Sequence, residues 1–318
     1  MRIAFTHESL EHEPTFRYLT SIAWMVVDGR HRWSISDHDA FLKSRWLASE
    51  SPSSRAAFRE VAALSARTCL PPALDIASVT DATSYHEGRW RLPAHLAEEY
   101  LREPLLVITE NARCDGSFLK QVALRVGRKH LERALGAAIL ERIHARWRGP
   151  LGDGEWLQVV HGGGFTTAVQ VELAVEARPG GPPRRIFVLV DSDRSAKDGS
   201  LGSTASKVQA CIQKLQESRG HRIRLHVLHK REVENYLPKE ALRQINSASF
   251  ARWEQMSADD KDYSDLKDRS LFGSKASEAW YDPTYEHYLH EQALRERAGG
   301  DGRELSELIR VLGELLIS

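Results

Sequence analysis

Five carboxylates in this chain sit shortly after short apolar runs, and their order along the sequence points to metal chemistry. Glu110 follows Leu105-Leu106-Val107-Ile108, and Asp191 and Asp193 follow Ile186–Val190. Glu232 and Glu234 follow the run at 223–228, in His229-Lys230-Arg231-Glu232-Val233-Glu234-Asn235-Tyr236. One acid in such a place is most often a helix cap or a turn residue. Several at one rim repel each other unless a cation neutralises them or some take up protons. Oxygen donors without His or Cys suit Mg²⁺ or Mn²⁺ rather than zinc.

The elements that must carry these acids are legible between 103 and about 240. The apolar run at 105–108 reads as a buried strand, segments at 156–160, 186–190 and 223–228 read as further strands, and helical patterns at about 117–146, up to 177, and 203–218 alternate with them. A break in the first helix is expected near Gly127 or Gly136. Such alternation implies βαβ units, a parallel sheet and right-handed crossovers. Ligands of open parallel sheets bind beyond the carboxyl ends of the strands. Three strand ends then carry acids, and the second carries Gly162-Gly163-Gly164, which leaves room. The expected fold class is α/β, a Rossmann-like parallel sheet of about four strands flanked by helices. A mixed N-terminal region (1–102) precedes it, with no chemical motif of its own, and C-terminal helices (241–318) follow.

A phosphate-bearing substrate needs local positive charge, because phosphate contacts dominate nucleic-acid affinity. From Lys120 to Arg148 there are eight Lys or Arg (Lys120, Arg125, Arg128, Lys129, Arg133, Arg142, Arg146, Arg148) against Glu132 and Glu141, with His130 and His144 able to add charge at lower pH. Arg219, Arg222, Arg224, Lys230 and Arg231 form a second basic group, and Arg194 stands next to the Asp-Ser-Asp turn. Arg125, Arg128, Lys129, Arg194, Lys230 and Arg231 are the candidate nucleic-acid contacts. Trp147, Trp156 and Trp253 are candidates either for base stacking or for core packing.

Composition limits the alternatives. Over 318 residues the formal net charge is zero, so any basic surface is local. No apolar run reaches the roughly 18–20 residues a bilayer requires. The opening MRIAFTHESLEHEP has acids where a signal peptide would be apolar. Cys69, Cys114 and Cys211 are odd in number, without zinc spacing, so a reducing cytoplasm is expected.

The order Glu, glycines, Asp-x-Asp, Glu resembles that of a TOPRIM domain, the fold shared by topoisomerases, bacterial primases and OLD-family nucleases. Thr109-Glu110-Asn111-Ala112-Arg113-Cys114-Asp115 resembles the opening motif of OLD-like members, with Asn111 in place of the usual Gly and the second acid one residue later. Lys230–Leu237, KREVENYL, resembles the Glu-Asn-Tyr-Leu signature of small defence-associated members. The resemblance covers about 104–275. It implies a Mg²⁺-dependent endonuclease with two ions on Glu110, Asp115, Asp191, Asp193 and Glu234, Glu232 being the reserve ligand. It also implies a catalytic lysine, Lys267 before Lys275. DNA is the first substrate and tRNA or rRNA the second, with phage defence the implied role. A non-catalytic nucleic-acid-binding subunit is the alternative. The chain has no Walker A motif, so by analogy a separate ATPase or sensor partner is expected, and a homodimer is open.

Overall fold

The computed structural model describes residues 1–65, 74–86, 89–135, 140–141, 156–177, 181–182, 184–219, 223–299 and 302–317. Cys69, Arg142, His144, Arg146, Trp147, Arg148 and Arg222, all named above, lie outside these, as do the side chains of Arg133 and Arg219. The chain divides into two compact units, Met1–Glu103 with Glu314–Ser318, and Pro104–Gly313.

The first unit contains a sheet that its sequence pattern does not announce. β1 (Arg2–Phe5), β2 (Arg32–Trp33), β3 (Leu74–Ala77), β4 (Ser84–His86) and β5 (Arg89–Pro93) are ordered β2-β1-β3-β5-β4. All pairs are parallel except β4 with β5. Helices Phe16–Val27 and Pro52–Ser65 help bury its core, in which the Trp46 and Phe58 rings stack at 5.3 Å.

The second unit holds β6 (Leu105–Thr109), β7 (Leu157–His161), β8 (Ile186–Val190) and β9 (Ile223–Val227), all parallel, in the order β7-β6-β8-β9. β6 and β8 are buried at every residue, as expected of strands covered on both faces. The chain leaves β6 for β7 on one side, then crosses back to β8 on the other. Adjacent strands β6 and β8 therefore flank the switch point where open α/β sheets bind ligands. The helix after β6 begins at Cys114 rather than near 117 and ends at Gln121. A π-turn at Val122–Val126 follows, and Arg128–Leu135 is a separate helix. Gly127 marks the break because a Cβ there would meet Ile309 Cγ2 at 2.3 Å. The helices from Lys239 to Arg297 and most of Arg303–Ile317 belong to this same unit.

Among the described residues no helix is long and apolar enough to cross a membrane.

Candidate metal and phosphoryl-transfer site

The acids come together beyond the carboxyl ends of β6, β8 and β9. Glu110 is the first residue after β6, and its Oε1 accepts the backbone N–H of Asp191, the first residue after β8, at 3.0 Å. Asp191 Oδ1 in turn accepts the Val233 N–H at 3.2 Å, from the loop after β9. Asp115, in the first turn of helix Cys114–Gln121, is buried and accepts the Asn111 N–H at 2.8 Å. The Asp191-Ser192-Asp193 turn is stitched to the same loop. Ser192 Oγ donates to Lys230 O at 2.6 Å, and Asp193 N–H donates to Arg231 O at 3.0 Å. Asp193 has a left-handed backbone, φ 50°, which Asp tolerates better than most residues. Gly202 allows that turn to close, since a Cβ there would lie 2.4 Å from Asp193 Cβ. Gly164, at φ 53°, belongs to the glycine turn after β7, and a Cβ on it would stand 3.4 Å from Glu110 Oε2.

Lys267 completes the cluster. Its Nζ lies 3.1 Å from Glu232 Oε2 and 3.9 Å from Glu234 Oε2. Its segment is fixed from the Glu-Asn-Tyr turn, for Asn235 Nδ2 donates to Lys261 O at 3.1 Å and to Ser264 O at 3.0 Å. The Arg231 N–H also donates to Asp262 O, at 3.1 Å. Lys275 lies instead along a neighbouring cleft with Lys267 and Ser277.

The electrostatics are those of acids short of positive charge. Burial, with the Asp193 charge behind it, pushes the Glu110 carboxyl up to about 7, against the Asp191 N–H and Lys267. Burial pushes Asp115 up to about 8, with Glu234 and Glu110 adding to the rise. Asp191 is raised well above the usual range by burial and by Asp115, Glu234 and Glu110. Burial works against the Lys267 charge, but Glu234, Glu232 and Asp191 outweigh it and hold the ammonium protonated.

A hard divalent cation fits this donor set. The buried Glu234 Oε2 has no hydrogen-bond partner among the described residues, with only the Lys267 ammonium at 3.9 Å, and a buried carboxylate oxygen needs a closer donor or a cation. Glu234 Oε1 is held by Ser277 Oγ and, at 3.5 Å, by Cys114 Sγ. Among the described residues, no three Asp, Glu, His or Cys side chains already converge on one coordination point.

The predicted basic contacts divide. Lys230 belongs to the interior: it is buried and ion-paired with Asp262, and burial and Arg297 bring its ammonium down to about 8. Trp156 and Trp253 are buried too, so the stacking role gives way to packing. Trp253 lies beneath Lys261 and Arg297 at 5.3 and 5.2 Å. Arg125 pairs with Glu286 at 3.0 Å, Arg128 pairs with Glu141, and Arg231 Nε is 3.6 Å from Glu232. Lys129 is exposed, Arg194 half-buried.

Sequence reasoning missed the residues that brace the Glu-Asn-Tyr turn. Glu304, buried, accepts Tyr236 Oη–H at 2.5 Å and the His229 N–H at 2.6 Å. Arg297, also buried, donates to Leu237 O at 3.1 Å and to Asn235 O. Both sit more than sixty positions downstream, and only an acid opening a helix or an Arg closing one marks them.

No family model, curated protein or solved structure matches the chain.

Proposed function

We propose that the second unit is a metal-dependent nuclease of TOPRIM type. The observation that carries the reading is the cluster itself: acids at three neighbouring parallel strand ends, Glu110 and Asp191 linked through backbone N–H groups and Glu232 and Glu234 paired with Lys267. Glu110, Asp115, Asp191, Asp193 and Glu234 would hold Mg²⁺ or Mn²⁺, probed as two ions. Such ions, when bound, activate water and neutralise charge on the phosphate and its leaving oxygen. Glu110 and Asp191 are pre-oriented by backbone N–H groups, so little reorganisation is needed to present their oxygens. The Lys267 ammonium supplies positive charge beside them for a phosphoryl oxygen.

Nucleic acid is the proposed substrate, DNA before tRNA or rRNA, and phage defence the proposed setting. A separate ATPase or sensor and self-association belong to the same proposal. So does a reducing cytoplasm, which suits the free and buried Cys114 thiol. A non-catalytic nucleic-acid-binding subunit is the second reading, favoured by the lack of three converging ligand side chains among the described residues. Incubating supercoiled plasmid, linear DNA and total tRNA with Mg²⁺, Mn²⁺ or EDTA decides between them. Metal-dependent cutting by the wild type and none by Asp191→Ala is the expected result. Cutting that survives the substitution would sink the assignment.

A further inference from the structure

The acid cluster opens beside a cleft of about 610 Å³ in the same unit. Lys267 and Ser277 belong to both, since Lys267 pairs with Glu232 and Ser277 donates to Glu234. Beyond them the wall carries Arg269 and Lys275, with the half-buried Ile245 and Leu271 as its accessible apolar part, and among the described residues no acid lines it. Arg269 and Lys275 are exposed, and among the described residues neither forms an ion pair. That separates them from Arg125 and Arg128, whose charge is answered by Glu286 and Glu141.

We infer that this cleft binds the sugar-phosphate backbone of a single nucleic-acid strand and leads it to the acids. The inference rests on the nuclease reading and names the form of substrate it takes. The two unpaired cations on this wall, Arg269 and Lys275, attract successive phosphates. Apolar side chains beside them offer a surface to unpaired bases, the combination single-strand sites use. The volume of this open cleft is that of a small-ligand pocket, room for a few nucleotide units. Arg269 and Lys275 grip phosphates outside the reacting position, and Lys267 marks the end where the strand meets the carboxylates.

The test is binding without cleavage. Fluorescence anisotropy with a labelled oligonucleotide, single-stranded and as its duplex, is recorded on the full chain in EDTA over a range of salt. The single strand is expected to bind about tenfold more tightly than the duplex. Arg269→Ala plus Lys275→Ala should lower the slope of log affinity against log salt by about 1.4, roughly 0.7 per lost phosphate contact on a single strand. Arg59→Ala plus Lys214→Ala, at exposed cations outside the cleft, should leave that slope unchanged. An unchanged slope in the cleft variant, or duplex binding as tight as single-strand binding, would overturn the inference. Metal-dependent cleavage by the wild type, measured separately, would still stand as evidence for the nuclease.

Discussion

Glu110 Oε1 accepts the backbone N–H of Asp191 at 3.0 Å, so the carboxylate that ends β6 is fixed by the first residue after β8. The bond orients Glu110 and favours its ionised form, but it also holds that charge close to the Asp191 carboxyl, whose proton affinity it helps to raise. Fixed geometry and unrelieved repulsion therefore come from the same contact. The cluster is arranged for a cation at a cost to the cation-free fold.

That cost has a pH sign. Glu110 rises from an ordinary value to about 7 and Asp115 to about 8. Between the unfolded values near 4 and these folded values, the native state binds more protons than the unfolded one. Stability accordingly falls as pH rises through this window. In EDTA the melting temperature should drop by roughly 5 °C or more from pH 5 to pH 8, on the scale of about 2–4 °C per kcal/mol. Mg²⁺ should restore most of it at pH 8. Calorimetry with and without Mg²⁺ checks this, and a flat profile in EDTA would contradict it.

Asp191→Asn removes one buried charge while keeping an Oδ1 to accept the Val233 N–H. Without metal it should be more stable than the wild type at pH 8, because burial and the Asp115, Glu234 and Glu110 charges disfavour the ionised Asp191. It should also lose the stabilisation by Mg²⁺ together with cleavage. Paired melts in EDTA and Mg²⁺ read both effects. Destabilisation in EDTA would mean that the Asp191 charge is already compensated.

The inner strands β6 and β8 are legible because each is an apolar run followed closely by acid, and a buried parallel strand needs little more than that. β2 and β5 were not legible: Arg32-Trp33 and Arg89-Trp90-Arg91-Leu92-Pro93 are short and charged, and only pairing with β1 and β3 makes them strands. Asp191 and Glu110 could be singled out because strand ends converge. Glu234 and Lys267 were named by the resemblance, but the contacts that hold the Lys267 segment, such as Asn235 with Lys261 and Ser264, carry no local signal. Lys230 misled for a related reason. In Lys-Arg-Glu it reads as solvent-facing, yet Asp262, thirty-two positions on, draws it inside.

Lys267→Met should separate the charge of this lysine from its bulk. Its ammonium faces Glu232 and Glu234, and its side chain is 40% exposed, so solvent screens part of the pairing. The loss of stability in EDTA should be no more than about 1 kcal/mol. Cleavage should fall about 10²-fold or more, the size seen when one preorganised charge or donor is removed from a transition state. Lys275→Met should leave the melting temperature unchanged. Equal cleavage rates for Lys267→Met and wild type would remove Lys267 from the reaction.

Glu304 tests whether the Glu-Asn-Tyr turn is held from a distance. Burial alone would raise this carboxyl, but the His226, Tyr236 and His229 donors prevail and hold it below the usual range. Its contribution is therefore complete above the unfolded value near 4.5 and lost as pH falls through the lower folded one. Glu304→Gln puts an amide N–H where an acceptor is needed, because both carboxylate oxygens already accept, one from Tyr236 and one from the His229 N–H. If Tyr236 accepts that amide N–H beside the Lys230 N–H it already accepts at 3.2 Å, its own buried O–H loses its acceptor. The substitution should cost about 1–3 kcal/mol. Because the turn carries Glu234, the Mg²⁺ concentration needed for half-maximal cleavage should also rise. Tyr236→Phe should reproduce part of both effects. Lost stability with an unchanged Mg²⁺ requirement would mean that Glu304 braces the fold without positioning the metal ligand.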